Sequence, residues 1–300
     1  RKQSFEAKPS VSIERAVLTT EFYQENEGKL PVPVLRAKNF YNLCARKTIY
    51  IGEKELIVGE RGPFPKAVST FPELNCHSAS DFEVLNSRPM TSYSVTGEDI
   101  DVYSEKVVPF WKGRTIRDRI FSNLPREWTC LYEAGCFTEF MEQRAPGHTA
   151  LDGTIYHTGL LEMKEKIALA RQNLDWINDP RATEKDEQLQ AMDIACDASI
   201  LFAERHAALA EDMAEKETDG QRKKELLKIA EVCRRVPAHA PRDFHEAIQT
   251  YWFSHLGTIT ELNGWDAMSP GHFDQHLAPF YEKGIEDGTL DREKARELLS

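Results

Sequence analysis

The sequence predicts a mostly helical chain that contains one β-hairpin. The main observation is a long periodic stretch at residues 185–217, where apolar side chains recur every three or four positions and share one helix face. That packing face consists of Leu189, Met192, Cys196, Ile200, Ala203, Ala207, Ala210 and Met213. The second observation is a pair of β-prone runs, residues 48–51 and 55–58, joined by a short turn. These runs predict the hairpin.

The remaining elements are predicted as shorter helices. Ser12 is expected to cap a helix that carries Ile13 and Ala16, and Asp291 to cap the last helix. The other helices are predicted through Tyr41 and Leu43, from residue 125 onward, and at residues 99–111, 115–124, 160–177, 221–235 and 242–256. The last helix reaches Ser300 without a stop signal, so we expect the natural chain to continue beyond that residue.

Composition excludes several classes of protein. The 300 residues are 41% apolar and 29% charged, and no apolar run reaches the roughly eighteen residues of a membrane span. The first residues lack the apolar core of a secretory signal, so the cytoplasm is the expected location. A net charge of −11 disfavours binding to nucleic acid. The expected protein is therefore soluble, with neither a membrane nor a nucleic acid as its partner.

The cysteines and acidic residues predict no metal site. The six cysteines are scattered without a C-x-x-C pair, which favours buried, reduced thiols. Cys76 and His77 are neighbours, but no second pair lies at ligand spacing. Asp193 and Asp197 stand one helical turn apart, yet the Glu-x-x-His partners of a carboxylate metal site are missing.

Two polar stretches are candidates for a functional site. The first, residues 137–149, ends an apolar run with Glu139, Glu142, Arg144 and His148, and its Pro-Gly pair ends any helix before His148. The second, residues 257–276, leads from a β-branched run into a Gly-rich loop that contains Asp266. Taken alone, the first stretch also fits an ordinary charged helix end. Its His148 could equally stabilise a turn, and Asp266 could cap one.

These stretches resemble the glycyl radical enzymes, the family that contains pyruvate formate-lyase. Residues 142–147 follow the family's Glu-x-Arg-x-x-Gly pattern, and residues 57–60, 195–197 and 261–266 are also similar to family members, in the same order. Residues 271–275 resemble the family's Gly-x-x-Asp-Gln stretch, although His272 stands where members usually have Arg. That departure leaves the role of His272 open.

The resemblance implies a fold that the residues alone do not reveal. It implies an α/β barrel of two half-barrels wrapped by helices, with this chain supplying the mostly helical N-terminal part. Residues 1–300 would then be the N-terminal portion of a pyruvate formate-lyase-type catalytic domain. By the same resemblance, the cysteine that forms a thiyl radical and the glycine that stores the radical lie beyond Ser300. No cysteine of this chain is expected to take either role.

The resemblance also implies a reaction, a lyase-type dehydration in anaerobic metabolism. The sequence of these stretches is similar to that of members that remove water from trans-4-hydroxy-L-proline to give a pyrroline-5-carboxylate. The cofactor would be a glycyl radical, installed by a separate S-adenosylmethionine-dependent iron-sulfur activating enzyme, and the protein would be a homodimer. Carried over by position, Phe140 would pack against the proline ring, His148 would hydrogen-bond to the substrate's polar edge, and Asp266 would pair with the ring amine.

Two other functions stay open. A glycyl radical enzyme could act on a diol, a sulfonate or another cyclic amino acid, because a histidine at position 148 also suits a diol dehydratase. The carboxylate of Asp266 favours a cationic substrate and hence the amino acid. A non-enzymatic helical scaffold would need long docking stripes, whereas the polar residues here concentrate around Arg144 and Asp266.

Overall fold

A computed structural model of the chain describes residues 6–137, 152–262 and 270–300. The strands are β1 (Ser10–Ser12) and β2 (Ala67–Ser69). The helices before residue 138 are α1 (Glu14–Asn26), α2 (Val32–Arg46), α3 (Ala79–Ser87), α4 (Gly97–Val102), which a π-helical turn (Tyr103–Val107) joins to α5 (Val108–Trp111), α6 (Ile116–Asn123) and α7 (Arg126–Glu133). After residue 151 come a 3-10 turn (Asp152–Tyr156), α8 (Leu160–Gln172), α9 (Ala182–Lys216), α10 (Gly220–Arg235), α11 (Phe244–Leu262), α12 (Phe273–Glu286) and α13 (Arg292–Leu298).

Helix α9 is the centre of the helical packing and confirms the predicted long helix. It lies against α2, α8 and α10, and small residues on its predicted face allow these neighbours to approach closely. Ala203, Ala207 and Ala210 are buried there with Phe40 of α2 and Leu226 of α10. We call α2, α9 and α10 the helical layer. Burial of these apolar side chains is the main stabilising contribution to it.

Two predicted helix boundaries were wrong. The helix predicted to reach residue 177 ends at Gln172, since the carboxylate of Asp175 accepts hydrogen bonds from the backbone N–H groups of Ile177 (3.1 Å) and Asn178 (3.0 Å) and forms a turn. The helix predicted for residues 242–256 continues to Leu262.

The two predicted caps had different outcomes. Asp291 caps α13 as expected, with its carboxylate accepting from the Lys294 N–H at 2.7 Å. The prediction for Ser12 holds only in part: Ser12 lies in β1 and Ile13 directly precedes α1, but the Ser12 hydroxyl accepts from the N–H of Glu14, the first residue of α1, at 3.4 Å.

The predicted β-hairpin was wrong. Residues 48–61 form no strand, and the two strands of the described residues pair elsewhere, with β1 parallel to β2 and Val11 opposite Val68. Residues 48–61, which we call the extended segment, run across α10 and α11 instead. Because side chains from these helices bind its backbone groups, the segment needs no partner strand.

Hydrogen bonds from α11 take the place of the hairpin ladder. The buried amide of Gln249 accepts from the Val58 N–H and donates to the Val58 carbonyl, both at 2.8 Å. His245 donates to the Leu56 carbonyl and Trp252 to the Gly59 carbonyl, each at 2.8 Å. Gly59 has φ +118°, and a Cβ atom there would lie 2.6 Å from Leu256 Cδ1. The segment therefore lies directly against α11, at a distance only glycine permits.

Other backbone groups of the extended segment are bound in the same way. Arg222 of α10 donates to the carbonyls of Gly52 and Glu55, each at 2.9 Å. Lys47, which is almost fully buried, donates to the carbonyls of Glu60 (3.0 Å) and Arg61 (3.1 Å). Burial lowers the pKa of Lys47 to about 8.

All six cysteines have free thiols, but the prediction that they are buried holds only in part. Cys44, Cys196 and Cys233 are buried, and burial raises the pKa of the Cys44 and Cys233 thiols to about 12. Cys130 and Cys136 are exposed. Cys130 lies on α7, which has no buried residue, so its surroundings differ from those of the helical layer.

The described residues hold no cluster of three or more histidine, cysteine or carboxylate groups that could bind a metal ion. Asp193 and Asp197, one turn apart as predicted, each bind Lys164 at 2.8 Å. Among all the described residues, no helix is both long and apolar enough to cross a bilayer.

Candidate functional site

The three predicted site residues lie outside the described residues. Phe140 and His148 belong to residues 138–151, together with Glu139, Glu142 and Arg144, and Asp266 belongs to residues 263–269. The structure describes the elements on both sides of each stretch. These flanking elements determine where each stretch leaves and rejoins the fold.

The elements that follow the two stretches contact each other directly. Asp152, the first described residue after His148, lies 3.2 Å from Nε2 of His276 in the first turn of α12, and the imidazole N–H donates to the carboxylate. The imidazole also stacks on the ring of Tyr156, with centroids 5.2 Å apart. A Cβ at Gly153 would lie 3.1 Å from this imidazole, so a side chain there would crowd His276.

An apolar cluster anchors this contact. Tyr156 and Ile155 are buried beside Phe244 and Ile248 of α11 and Leu277 of α12. Burial raises the pKa of the Tyr156 hydroxyl, which keeps it neutral. Because α11 leads into residues 263–269, the cluster places the rejoining end of the first stretch against the helix that precedes the second.

The C-terminal end of α11 is held by a buried arginine. Arg15 of α1 is 5% exposed, and its Nε donates to the Thr260 carbonyl at 2.7 Å. The same guanidinium forms a bidentate pair with Glu73 at 3.1 and 2.6 Å and lies 3.9 Å from the ring centroid of Phe71. The paired carboxylate compensates the buried positive charge.

A second arginine binds the next residue of the same helix. Arg36 of α2 donates through Nε and Nη2 to Oε1 of Glu261, at 3.0 and 2.5 Å. Burial acts to lower the pKa of Arg36, but the Glu261 carboxylate outweighs it and raises the pKa above the usual value. Two cations thus lie at a helix C-terminus, the end where positive charge is favourable.

The remaining flanks are the start of the first stretch and the end of the second. Phe137 packs against the rings of Trp128 and Tyr132 on α7, with centroids 5.6 and 5.8 Å away. Gly271 has φ +67°, a left-handed conformation that suits glycine, and α12 begins directly after His272. The Gly-x-x-Asp-Gln stretch is therefore a turn that starts a helix. The side chain of His272 makes no capping hydrogen bond.

The residues that hold the elements flanking the two candidate stretches were not predicted from the sequence. Arg15, Glu73, Arg36 and His276 carry no local pattern that marks them. Arg15 and the carbonyl that it binds are 245 positions apart, so no periodicity or motif could pair them. Glu261 and His276 fell within stretches singled out by sequence, but their partners were not identified.

Known proteins are similar to this chain in both sequence and fold. Residues 1–300 match the pyruvate formate lyase-like family model. Over 299 residues the chain is 50% identical to trans-4-hydroxy-L-proline dehydratase of Clostridioides difficile, an alignment that covers 100% of this chain and 38% of that protein. The chain therefore spans less than half of the length of this relative.

Solved structures show the same likeness. The crystal structure of hydroxyproline dehydratase from Clostridioides difficile with trans-4-hydroxy-L-proline bound matches with a TM-score of 0.94 and 50% identity, over 99% of this chain and 38% of that one. A glycyl radical enzyme from Archaeoglobus fulgidus matches with a TM-score of 0.89 and 32% identity, over 99% of this chain and 38% of that one.

Proposed function

The chain belongs to the pyruvate formate lyase-like family, and on that premise we propose that it is part of a glycyl radical dehydratase that removes water from trans-4-hydroxy-L-proline. The observation that carries this proposal is the 50% identity, across the whole chain, to a dehydratase of that substrate. Fold alone would not select a substrate, because one fold supports many reactions. The choice of substrate therefore also depends on the roles proposed for Phe140, His148 and Asp266.

The proposal includes the place of this chain in the larger fold. Residues 1–300 would form the N-terminal portion of the catalytic domain, as a helical jacket around two half-barrels. The helical layer and α11 suit that role, because they are helices packed on helices, and α11 leads directly into the stretch that contains Asp266. The protein is further proposed to be a cytoplasmic homodimer that meets a separate activating enzyme.

The radical chemistry would come from outside the described residues. When present, a glycyl radical supplies a route to hydrogen abstraction from the substrate through a cysteine. Both groups are expected beyond Ser300. The buried thiols of Cys44, Cys196 and Cys233 have pKa values raised by burial, so none of them is a ready thiolate.

The residues of this chain would bind the substrate and handle its protons. Asp266 would pair with the ring ammonium, and Phe140 would pack against the ring carbons. His148 would donate a proton to the departing hydroxyl. The hydroxyl would then leave as water, and the substrate would become a pyrroline-5-carboxylate. Support comes from the flanks: Asp152, shortly after His148, is bound to His276, and Thr260, shortly before Asp266, is bound to Arg15.

The carboxylate of Asp266 is the feature that favours a cyclic amino acid over a diol as the substrate. A charge-assisted hydrogen bond contributes about 1.5–3 kcal/mol. A diol hydroxyl could also donate to the carboxylate, but only the ring ammonium adds the attraction between opposite charges. We therefore expect Asp266→Asn to lower kcat/KM for hydroxyproline about tenfold to a hundredfold without changing stability. His148→Ala should lower mainly kcat, because proton donation occurs in the transition state.

The test uses the full-length protein, activated without oxygen by its partner enzyme. Consumption of trans-4-hydroxy-L-proline is compared with that of glycerol and isethionate. Electron paramagnetic resonance must first show equal glycyl radical in the parent and both variants, so that a loss of activity is not a loss of activation. Faster turnover of glycerol or isethionate than of hydroxyproline would overturn the proposal. So would an Asp266→Asn variant that equals the parent.

A further inference from the structure

The last turn of α11 is bound from two directions. Arg15 of α1 donates to the Thr260 carbonyl at 2.7 Å, and its bidentate pair with Glu73 fixes the guanidinium. Arg36 of α2 holds the neighbouring carboxylate, Glu261, through two donors. Carbonyls in the last turn of a helix have no partner within the helix, and such ends usually fray. Here the end is held by protein groups from α1 and α2.

The anchored turn lies directly before one of the candidate stretches. The chain continues from Leu262 into residues 263–269, which include Asp266. The direction in which a chain leaves a helix is set by the orientation of its last turn. A catalytic or binding side chain must be held within a fraction of an ångström of its working position, and neighbouring hydrogen bonds provide that precision.

We propose that Arg36 and Arg15 are positioning residues for Asp266, because they orient the last turn of the helix that leads to it. The inference rests on the proposed function, in which Asp266 pairs with the substrate ammonium. Arg15 is the rigid support, since it is buried together with Thr70 and Thr260, whose carbonyls it binds. Arg36 is the adjustable one, since its side chain is 50% exposed and Glu261 is 27% exposed. Arg36 can therefore be changed without unfolding the protein.

The chain contains a matched control on the same helix. Arg46 of α2 binds Glu21 of α1 at 2.8 Å, with side chains 51% and 28% exposed. This pair has the same residue types and almost the same exposure as the Arg36–Glu261 pair, and it lies away from α11. Glu21 also binds Lys106 at 2.5 Å, so Arg46→Gln leaves that carboxylate with one cation. Arg234→Gln, which breaks the Arg234–Glu211 pair between α9 and α10, is a second control.

Steady-state kinetics on the activated full-length protein test the proposal. We expect Arg36→Gln to raise KM for hydroxyproline about fivefold with kcat within about twofold, because a half-exposed ion pair has a modest effect. Arg46→Gln and Arg234→Gln should leave both constants within about twofold of the parent values. Arg36→Lys keeps the charge and should restore most of the lost affinity. Equal effects of Arg36→Gln and Arg46→Gln would overturn the proposal.

Combination with Asp266→Asn separates positioning from a general structural effect. If Arg36 acts through Asp266, then Arg36→Gln should have no further effect on KM in the Asp266→Asn background. Effects that multiply would show that Arg36 acts independently of Asp266. That result would overturn the proposal even if the single variants behaved as expected.

Hydrogen exchange provides a readout that does not depend on the substrate. In the full-length protein, Arg36→Gln should speed exchange of the backbone amides of residues 259–262 about fivefold, and Arg46→Gln should not. If the parent rejects hydroxyproline, the proposed function fails. The exchange result then still decides whether Arg36 orders the end of α11, and unchanged exchange would overturn that role.

Discussion

The helical layer and the extended segment lie side by side and are stabilised in different ways. In the layer, most of the buried residues are apolar and many are small, and Ala203, Ala207 and Leu226 have no polar side-chain atom to satisfy. In the extended segment, several backbone groups are hydrogen-bonded to side chains from other parts of the chain. The main donors are Gln249 and Trp252 of α11. The two regions meet at Val58, which belongs to the apolar core and is also bound by Gln249.

The two regions differ in how precisely their side chains must be oriented. Burial of apolar surface has no direction, so a layer stabilised by burial tolerates changes that conserve volume. A buried hydrogen bond requires a particular donor and acceptor, and an unpaired buried backbone group is destabilising. In the full-length protein, the layer should therefore respond to lost volume, and the extended segment to lost hydrogen bonds even when volume is kept.

The largest effect is expected from a cavity in the layer. Leu226→Ala should lower the free energy of unfolding by about 4 kcal/mol, because it removes buried methyl groups and leaves a void. Leu227→Ala is the control on the same helix, since Leu227 is 50% exposed and Leu226 only 1%. Urea titrations of both variants and the parent provide the comparison. Similar losses from the two substitutions would contradict the burial account.

A volume-conserving pair of substitutions separates the two regions. Gln249→Leu leaves both the N–H and the carbonyl of Val58 without their partner, and should lower the free energy of unfolding by about 3 kcal/mol. Leu226→Met should change it by less than about 1.5 kcal/mol. Gln188→Leu, at an exposed position, controls for loss of a glutamine. If Leu226→Met proves as harmful as Gln249→Leu, the distinction between the regions fails.

Acid should reveal a polar group inside the layer. The buried His206 donates from Nδ1 to the Phe202 carbonyl at 2.8 Å, while its Nε2 has no hydrogen-bond partner among the described residues. Its ring lies against Phe202 and Phe253, and Lys47 and Arg205 are charged groups near it. Burial, with a smaller contribution from these two cations, lowers the pKa of His206 to about 4.

This shift determines the sign of the pH effect. Since the pKa in the folded state is below the ordinary value, the unfolded chain takes up the proton first, and stability falls as the pH drops from about 6.5 to about 4. Between pH 7 and pH 4.5 the parent should lose about 2 kcal/mol more than His206→Leu. The exposed His157→Leu should follow the parent. Equal pH dependence of the parent and His206→Leu would contradict this prediction.

The smallest effect is expected on the outer face of α9. Lys164 of α8 binds Asp193 and Asp197, each at 2.8 Å, and all three side chains are partly exposed. Lys164→Gln should therefore lower the free energy of unfolding by at most about 1 kcal/mol, and less at high salt. Urea titrations at low and high salt measure this. A loss as large as that of Gln249→Leu would show that surface charges contribute more than the comparison allows.

Much of the helical structure was predictable because its signals are local. The apolar face at residues 185–217 predicted α9, and Asp291 predicted the start of α13, since both depend on residues within a few turns of each other. The Glu-x-Arg-x-x-Gly pattern and the similar stretches around it were sufficient to identify the family, which the family match confirms. The roles of Phe140, His148 and Asp266 stay predictions.

Only the tertiary structure showed which distant residues bind the extended segment and the elements that flank the candidate stretches. β-prone residues predicted a hairpin at residues 48–58, but Gln249, 191 positions away, binds Val58 in place of a second strand. In the same way, Arg15 reaches Thr260 across 245 positions, and His276 reaches Asp152 across 124. A sequence pattern records periodicity between near neighbours. It does not record which distant polar side chain will meet a backbone group, because that is determined by how the helices pack.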